Sequence, residues 1–250
     1  MGLFGRKKSH QAEKWNMRTM FGPNMSFAVT EAYKLLRANI MFSFSDEGVG
    51  HVIGITSSLQ SEGKSSTACN TAYVLAESGA KVLLVDADLR RPTIAAKLGL
   101  AKTPGLTNLL VAREDYRELL QHCDTAHGMD VLTSGDIPPN PSELLASNRM
   151  ERLVKELVKE YDYVIVDLPP VNMVSDAIAI SRMLDGVIMV VRSGVSEQRM
   201  LAEALRQLKM VNVRIMGFVF RDNAVGSSEY KRRYKYRYKK YYSDYSKKKK

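Results

Sequence analysis

Gly63, Lys64 and Ser65 are residue types that bind phosphate, and they stand where a helical stretch begins. The segment Ser58-Leu59-Gln60-Ser61-Glu62-Gly63-Lys64-Ser65 has the spacing G-x-x-x-x-G-K-[ST], with Ser58 in place of the first glycine. In such a loop the backbone N–H groups from Glu62 through Ser66 point at phosphates, and the helix N-terminus adds its dipole. Lys64 reaches the β- and γ-phosphates, and the Ser65 hydroxyl holds Mg²⁺. Ser61, Glu62, Gly63, Lys64, Ser65 and Ser66 are therefore the candidate nucleotide-binding residues.

Carboxylates appear where a metal nucleotide needs them. Val82-Leu83-Leu84-Val85-Asp86-Ala87-Asp88 is an apolar strand ending in two of them, and their spacing of two aims both the same way. Val164-Ile165-Val166-Asp167 is a second apolar strand ending in aspartate. Three carboxylates converging on a triphosphate make a hard-oxygen site, so Ser65, Asp86, Asp88 and Asp167 are the candidate Mg²⁺ ligands. Lys64, Asp86, Asp88 and Asp167 are the candidate catalytic residues. Asp86 is assigned to orient or deprotonate an attacking hydroxyl.

That hydroxyl has an obvious source. Tyr230, Tyr234, Tyr236, Tyr238, Tyr241, Tyr242 and Tyr245 are seven of the chain's twelve tyrosines. From Glu229 onward, eleven Lys or Arg face Glu229 and Asp244, a net charge of +9 out of the chain's +10. The body is thus near neutral, and the basic character belongs to an arm that binds something acidic. A triphosphate site and an arm of tyrosyl hydroxyls together suggest an enzyme that phosphorylates its own tail.

The elements that position these groups alternate. Strands are predicted at 52–56, 81–86, 130–132, 163–167, 186–192 and 215–221, and helices at 64–78 and 142–160. Shorter helical pieces are predicted at 107–110 and 116–121, and a helix at 30–41 is capped by Thr30. Apolar strands alternating with helices predict an α/β fold of the P-loop NTPase type, mainly a parallel sheet with helices on both faces. A flexible tyrosine-rich C-terminal tail completes it. The expected organisation is an N-terminal arm over 1–29, a helix and linker over 30–50, a P-loop kinase domain over 51–224 and the basic tail over 225–250.

At 250 residues and 45% apolar composition, one sizeable core is expected. No run reaches the roughly 18–20 apolar residues of a membrane span, and no secretory segment follows the start, so a cytoplasmic protein is expected. Cys69 and Cys123 lack metal-type spacing and read as small buried residues.

Several stretches together carry a family resemblance: Glu31-Ala32-Tyr33-Lys34-Leu35-Leu36-Arg37, Glu62-Gly63-Lys64-Ser65, Val85-Asp86-Ala87-Asp88-Leu89-Arg90-Arg91-Pro92, Pro139-Asn140-Pro141-Ser142-Glu143-Leu144-Leu145, Asp167-Leu168-Pro169-Pro170 and the tyrosine-rich tail. The chain resembles the bacterial tyrosine kinases of capsule and exopolysaccharide biosynthesis, in their stand-alone cytoplasmic form. The resemblance implies ATP and Mg²⁺ as cofactors, with Asp86 and Asp88 as the Walker A′ element and Asp167 in Walker B. It implies autophosphorylation of the tail in trans. Glu31, Lys34 and Arg37 would assemble a ring-like homo-oligomer. It also implies a transmembrane activator that recruits the kinase to the inner face of the membrane, and a tyrosine phosphatase as a further partner. No nucleic-acid partner is expected.

Four places depart from the family pattern. Lys34 stands where Arg is usual, Gln60-Ser61 where Pro-Gly is usual, Leu168 where Thr or Ser is usual, and Arg221 where an adenine-reading Asn is usual. The alternatives are a spatial-positioning ATPase of the same fold, and a nucleic-acid or membrane-surface scaffold. The first carries an early lysine in its loop, where this chain has Leu59; the second would use the tail as a basic, aromatic arm.

Overall fold

The computed structural model describes residues 25–44, 49–112, 115–123 and 129–222. In chain order the elements are α1 (Phe27–Phe42), β1 (His51–Ser57), α2 (Lys64–Ala76), β2 (Val82–Asp86), α3 (Ile94–Leu98) and α4 (Leu106–Val111). A 3-10 turn (Tyr116–Leu119), β3 (Gln121–His122), β4 (Met129–Leu132), α5 (Pro141–Leu145), α6 (Asn148–Glu160) and β5 (Tyr163–Asp167) follow. The described part closes with α7 (Asp176–Ile180), β6 (Gly186–Arg192), α8 (Gln198–Met210) and β7 (Ile215–Arg221).

The strands form one sheet in the order β3-β4-β2-β5-β1-β6-β7. Every pairing is parallel except the short β3 against β4. Alternate side chains of each central strand face opposite cores, as the pleat requires. Val52, Leu83, Val85, Val164, Val166, Val187 and Met189 pack with α4 to α8 on one face. Ile53, Ile55, Val82, Leu84, Ile165, Ile188 and Val190 pack with α1, α2 and α3 on the other. Burial on both sides is why these strands read as continuous apolar runs.

Two helices differ from their sequence reading. The first begins at Phe27 after Ser26, so Thr30 lies inside it and caps nothing. The expected single helix over 142–160 is two, because the chain turns at Ala146-Ser147 and the Ser147 hydroxyl accepts from the Met150 N–H at 3.2 Å, starting α6 afresh. Within α6, Met150, Leu153, Val154 and Leu157 form the buried stripe of an amphipathic helix. The stretch expected as helical over 116–121 ends at Leu119 and hands over to β3.

Candidate active site

Three neighbouring parallel strands deliver the site. Ile55 of β1 is in register with Asp167 of β5, and Asp167 with Asp86 of β2. The carboxyl ends of β1, β5 and β2 therefore finish side by side, at the edge where open α/β sheets bind ligands. The loop leaving β1 crosses this edge and enters α2.

That loop is held on several sides. Gly63 takes φ +96°, a left-handed conformation that suits glycine, and Ser61 takes φ 62°. For Ser61 the same region costs about 1–2 kcal/mol, which accounts for the glycine usual there. Glu62 is fully buried and turns its carboxylate into the loop. It accepts from Ser58 Oγ at 2.9 Å and from the Leu59 N–H at 2.8 Å, and Ser196 Oγ donates to it as well. Ser58, the departure from glycine, is thus a donor to the loop's own internal acceptor. The Glu62 carboxylate is thus engaged by these donors, so any contribution to a phosphate comes from its backbone N–H. From outside, Arg91 Nη1 donates to Gln60 Oε1 at 2.9 Å and Arg192 Nη1 to the Ser61 carbonyl at 2.8 Å.

Lys64 is the centre of charge. Its Nζ donates to Asp88 Oδ2 at 2.7 Å and lies 3.5 Å from Asp167 Oδ1 and 3.3 Å from Ser65 Oγ. Burial works against the ammonium, but Asp167 and Asp88 outweigh it and hold its pKa above the ordinary lysine value. Burial, then the nearby Asp167 charge, pushes Asp86 up to about 8. Burial likewise raises Asp167, although Lys64 and the Ser65 hydroxyl pull it back. Asp86 Oδ2 accepts from the Ile94 N–H at 3.0 Å, so this residue also anchors α3.

Two carboxylate oxygens, Asp86 Oδ1 and Asp167 Oδ2, are buried without a hydrogen-bond partner. Such atoms are costly, and a hard cation is one group that satisfies them. The three expected carboxylates stand together but share their space with an ammonium. Among the described residues no three His, Cys, Asp or Glu side chains gather to hold a metal. The reason is electrostatic: the Lys64 ammonium binds both Asp88 and Asp167. The donor set fits Mg²⁺ held by Ser65 and one or two carboxylates, with water and phosphate oxygens completing its shell, which is the usual manner of that ion.

Other sequence expectations land elsewhere. Glu31 and Lys34 pair on the surface of α1 at 3.2 Å. Arg37 does not join them as one charged side. Its Nη1 donates to the Val74 carbonyl at 3.0 Å and lies 3.5 Å from Glu77, fastening α1 to α2. The seven tail tyrosines lie outside the described residues, as do residues 1–24 of the N-terminal arm.

Sequence reasoning missed several residues that brace the site. Arg90 binds Asp176 of α7 through Nε at 2.9 Å and Nη2 at 3.1 Å, and the Ser142 hydroxyl shares that buried carboxylate. The Pro139–Leu145 stretch, part of the family resemblance but without a role of its own, thereby ties α5 to the segment after Asp88. The Arg221 guanidinium packs on Gly63, where an added Cβ would fall 1.4 Å from its Nη1. Lys97 Nζ donates to Ser66 Oγ at 3.2 Å.

Residues 50–215 match a family described as AAA domain. The tyrosine-protein kinase YwqD of Bacillus subtilis (strain 168) is 41% identical over 202 residues, spanning 80% of this chain and 84% of that protein. The chain belongs to the family of bacterial tyrosine-protein kinases. The putative tyrosine-protein kinase CapB of Staphylococcus aureus is 31% identical, spanning 76% of this chain and 83% of its own. The solved kinase domain of the Escherichia coli tyrosine kinase Etk superimposes with a TM-score of 0.78 at 29% identity, covering 89% of this chain and 88% of that one. The expected α/β fold with a mainly parallel, doubly covered sheet is the fold of this family member.

Proposed function

We propose that this chain is an ATP-dependent protein-tyrosine kinase that phosphorylates the tyrosines of its own C-terminal arm, in trans, within a homo-oligomer. The observation that carries the reading is the buried group formed by Lys64, Asp86, Asp88 and Asp167 at the end of the phosphate loop. It brings a phosphate-binding ammonium within reach of carboxylates placed for metal and proton.

The backbone N–H groups of Gly63, Lys64, Ser65 and Ser66 and the Lys64 ammonium bind the phosphates of ATP. Mg²⁺, held by Ser65 with Asp88 and Asp167, would neutralise charge on the phosphate oxygens. The tyrosyl oxygen attacks the γ-phosphorus, the bond to the ADP oxygen breaks, and the phenolic proton passes to Asp86. A phenol with a free pKa of about 10 needs such an acceptor, and Asp86 serves as one in its ionised form, which a cation bound beside it would favour over the metal-free state. Phosphoryl transfer otherwise depends on positioning and on electrostatics, which the rigid strand ends supply. Asp86→Asn is expected to keep nucleotide binding and abolish transfer.

Transfer in trans needs copies held together. Leu35, Met41 and Phe42 leave large apolar side chains exposed on α1, beside the Glu31–Lys34 pair. That surface supports a ring-like assembly through α1, in which one arm reaches a neighbour's site. Among the described residues no helix is long and apolar enough to cross a membrane, so attachment to the inner face of a membrane would come from a transmembrane activator. The role in capsule or exopolysaccharide biosynthesis follows from the sequence resemblance. A tyrosine phosphatase would complete the cycle.

Intact-mass spectrometry after addition of Mg-ATP tests the reading. A ladder of phosphate additions on tail peptides, absent in Lys64→Met, is expected. No ladder with or without a candidate activator would leave a nucleotide-dependent positioning protein as the better description.

A further inference from the structure

Lys97 has no role in the chemistry above, yet it stands at the phosphate loop. It comes from α3, and its ammonium donates to Ser66 Oγ at 3.2 Å. The side chain is half-buried, and burial, reinforced by the nearby Arg221 and Lys64 charges, lowers its pKa to about 8 despite the neighbouring Asp167. Arg221 reaches Gly63 from β7. Lys97 and Arg221 therefore approach Gly63 to Ser66 from two other elements and join Lys64 there. Asp88 and Asp167 neutralise Lys64, while the Lys97 ammonium stands on the Ser66 side of the loop, where a phosphate laid on the helix N-terminus would meet it.

The order of phosphates along the loop says which anion. Lys64 points to Asp88 and Asp167, the end where the transferred phosphoryl belongs. Ser66 lies two residues along α2, and so about 200° around the helix from Lys64. A linear polyphosphate laid across this N-terminus has its γ end by Lys64 and its nucleoside end on the side of Ser66. Unlike the P-loop lysine, Lys97 lies outside the loop motif and comes from an element after Asp88.

We propose that Lys97 is a second phosphate-binding lysine, seating with Ser66 the α-phosphoryl group shared by nucleoside di- and triphosphates. The inference rests on the nucleotide reading of the site. It makes Lys97 a binding residue for ADP and ATP alike, indifferent to the γ-phosphate. Its desolvated ammonium strengthens that contact relative to an exposed one.

The test uses the full chain with Mg²⁺, measuring affinity for ADP and for a non-hydrolysable ATP analogue in wild type, Lys97→Met, Lys97→Arg and Lys64→Met. Lys97→Met is expected to weaken both nucleotides by the same factor, about tenfold for a lost charge-assisted contact. Lys97→Arg should recover most of that loss, and in steady-state assays the Lys97→Met defect should appear in KM for ATP rather than in kcat. The recovery by arginine separates a charge effect from a packing defect. Lys97→Met binding ADP like wild type would overturn the proposal, as would a loss confined to the ATP analogue or one that arginine does not repair. A wild-type chain that binds neither nucleotide would instead overturn the nucleotide reading itself.

Discussion

Asp86 is buried beside a second carboxylate, with one oxygen bonded to the Ile94 N–H and the other bonded to nothing. Its folded pKa of about 8 lies far above the ordinary carboxylate range. Between that range and pH 8 the folded state keeps the proton while the unfolded state has released it. Folding then takes up a proton, so stability falls as pH rises through this window. Thermal melts of the metal-free protein should show this decline between about pH 5 and 8, and Asp86→Asn should flatten it. The same variant should melt several degrees higher at pH 7.5, because an amide folds into that place without taking up a proton; an unchanged or lower melting temperature there would contradict the burial argument. Ser61 offers a second test. Its left-handed backbone costs about 1–2 kcal/mol, so Ser61→Gly should gain up to about 1 kcal/mol in denaturant unfolding after glycine's extra unfolded-state entropy is subtracted.

At the scale of elements, the site depends on braces between parts distant in sequence. Asp176 is fully buried and takes both the Arg90 guanidinium and the Ser142 hydroxyl. Asp176→Ala should lower stability by about 2 kcal/mol, read as a fall in melting temperature, and slow transfer by loosening the segment that carries Asp88. Arg37→Ala should free α1 from α2, seen as faster amide exchange across Phe27–Phe42 with the sheet unaffected. The sequence made Lys64, Asp86, Asp88 and Asp167 visible because each follows an apolar strand or opens a helix in a known spacing. The strands were legible for the same reason, since burial on both faces leaves an unbroken apolar run. α2 was placed by the loop before it rather than by periodicity: Lys64–Ala76 is buried nearly all round and shows no stripe. The contacts Arg90–Asp176, Arg221–Gly63 and Lys97–Ser66 were illegible because each joins residues far apart along the chain, and no local pattern marks them. The break at Ser147 was readable as an N-cap signal, but an apolar periodicity running past it concealed the turn.

For the whole molecule, charge is divided between a near-neutral body and a strongly basic arm. Each phosphate adds about −1.5 to −2 charges, so modification of several tyrosines would reverse the sign of an arm that begins at +9. The proposed oligomer should therefore loosen as the arm is phosphorylated. Light scattering on phosphatase-treated and ATP-treated protein should give a larger particle for the former; equal masses would separate assembly from phosphorylation.

The Lys64 ammonium already has two carboxylate partners, Asp88 at 2.7 Å and Asp167 at 3.5 Å. Arrival of a polyphosphate is therefore an exchange of counterions rather than a simple addition. Whatever Lys64 gains from the nucleotide is offset by what Asp88 and Asp167 lose, unless a cation comes with the nucleotide to take its place beside them. Metal and nucleotide are then obliged to enter together. Affinity for free ATP should be poor, and affinity for its magnesium complex good, by a margin that shrinks when Asp88 is replaced by Asn.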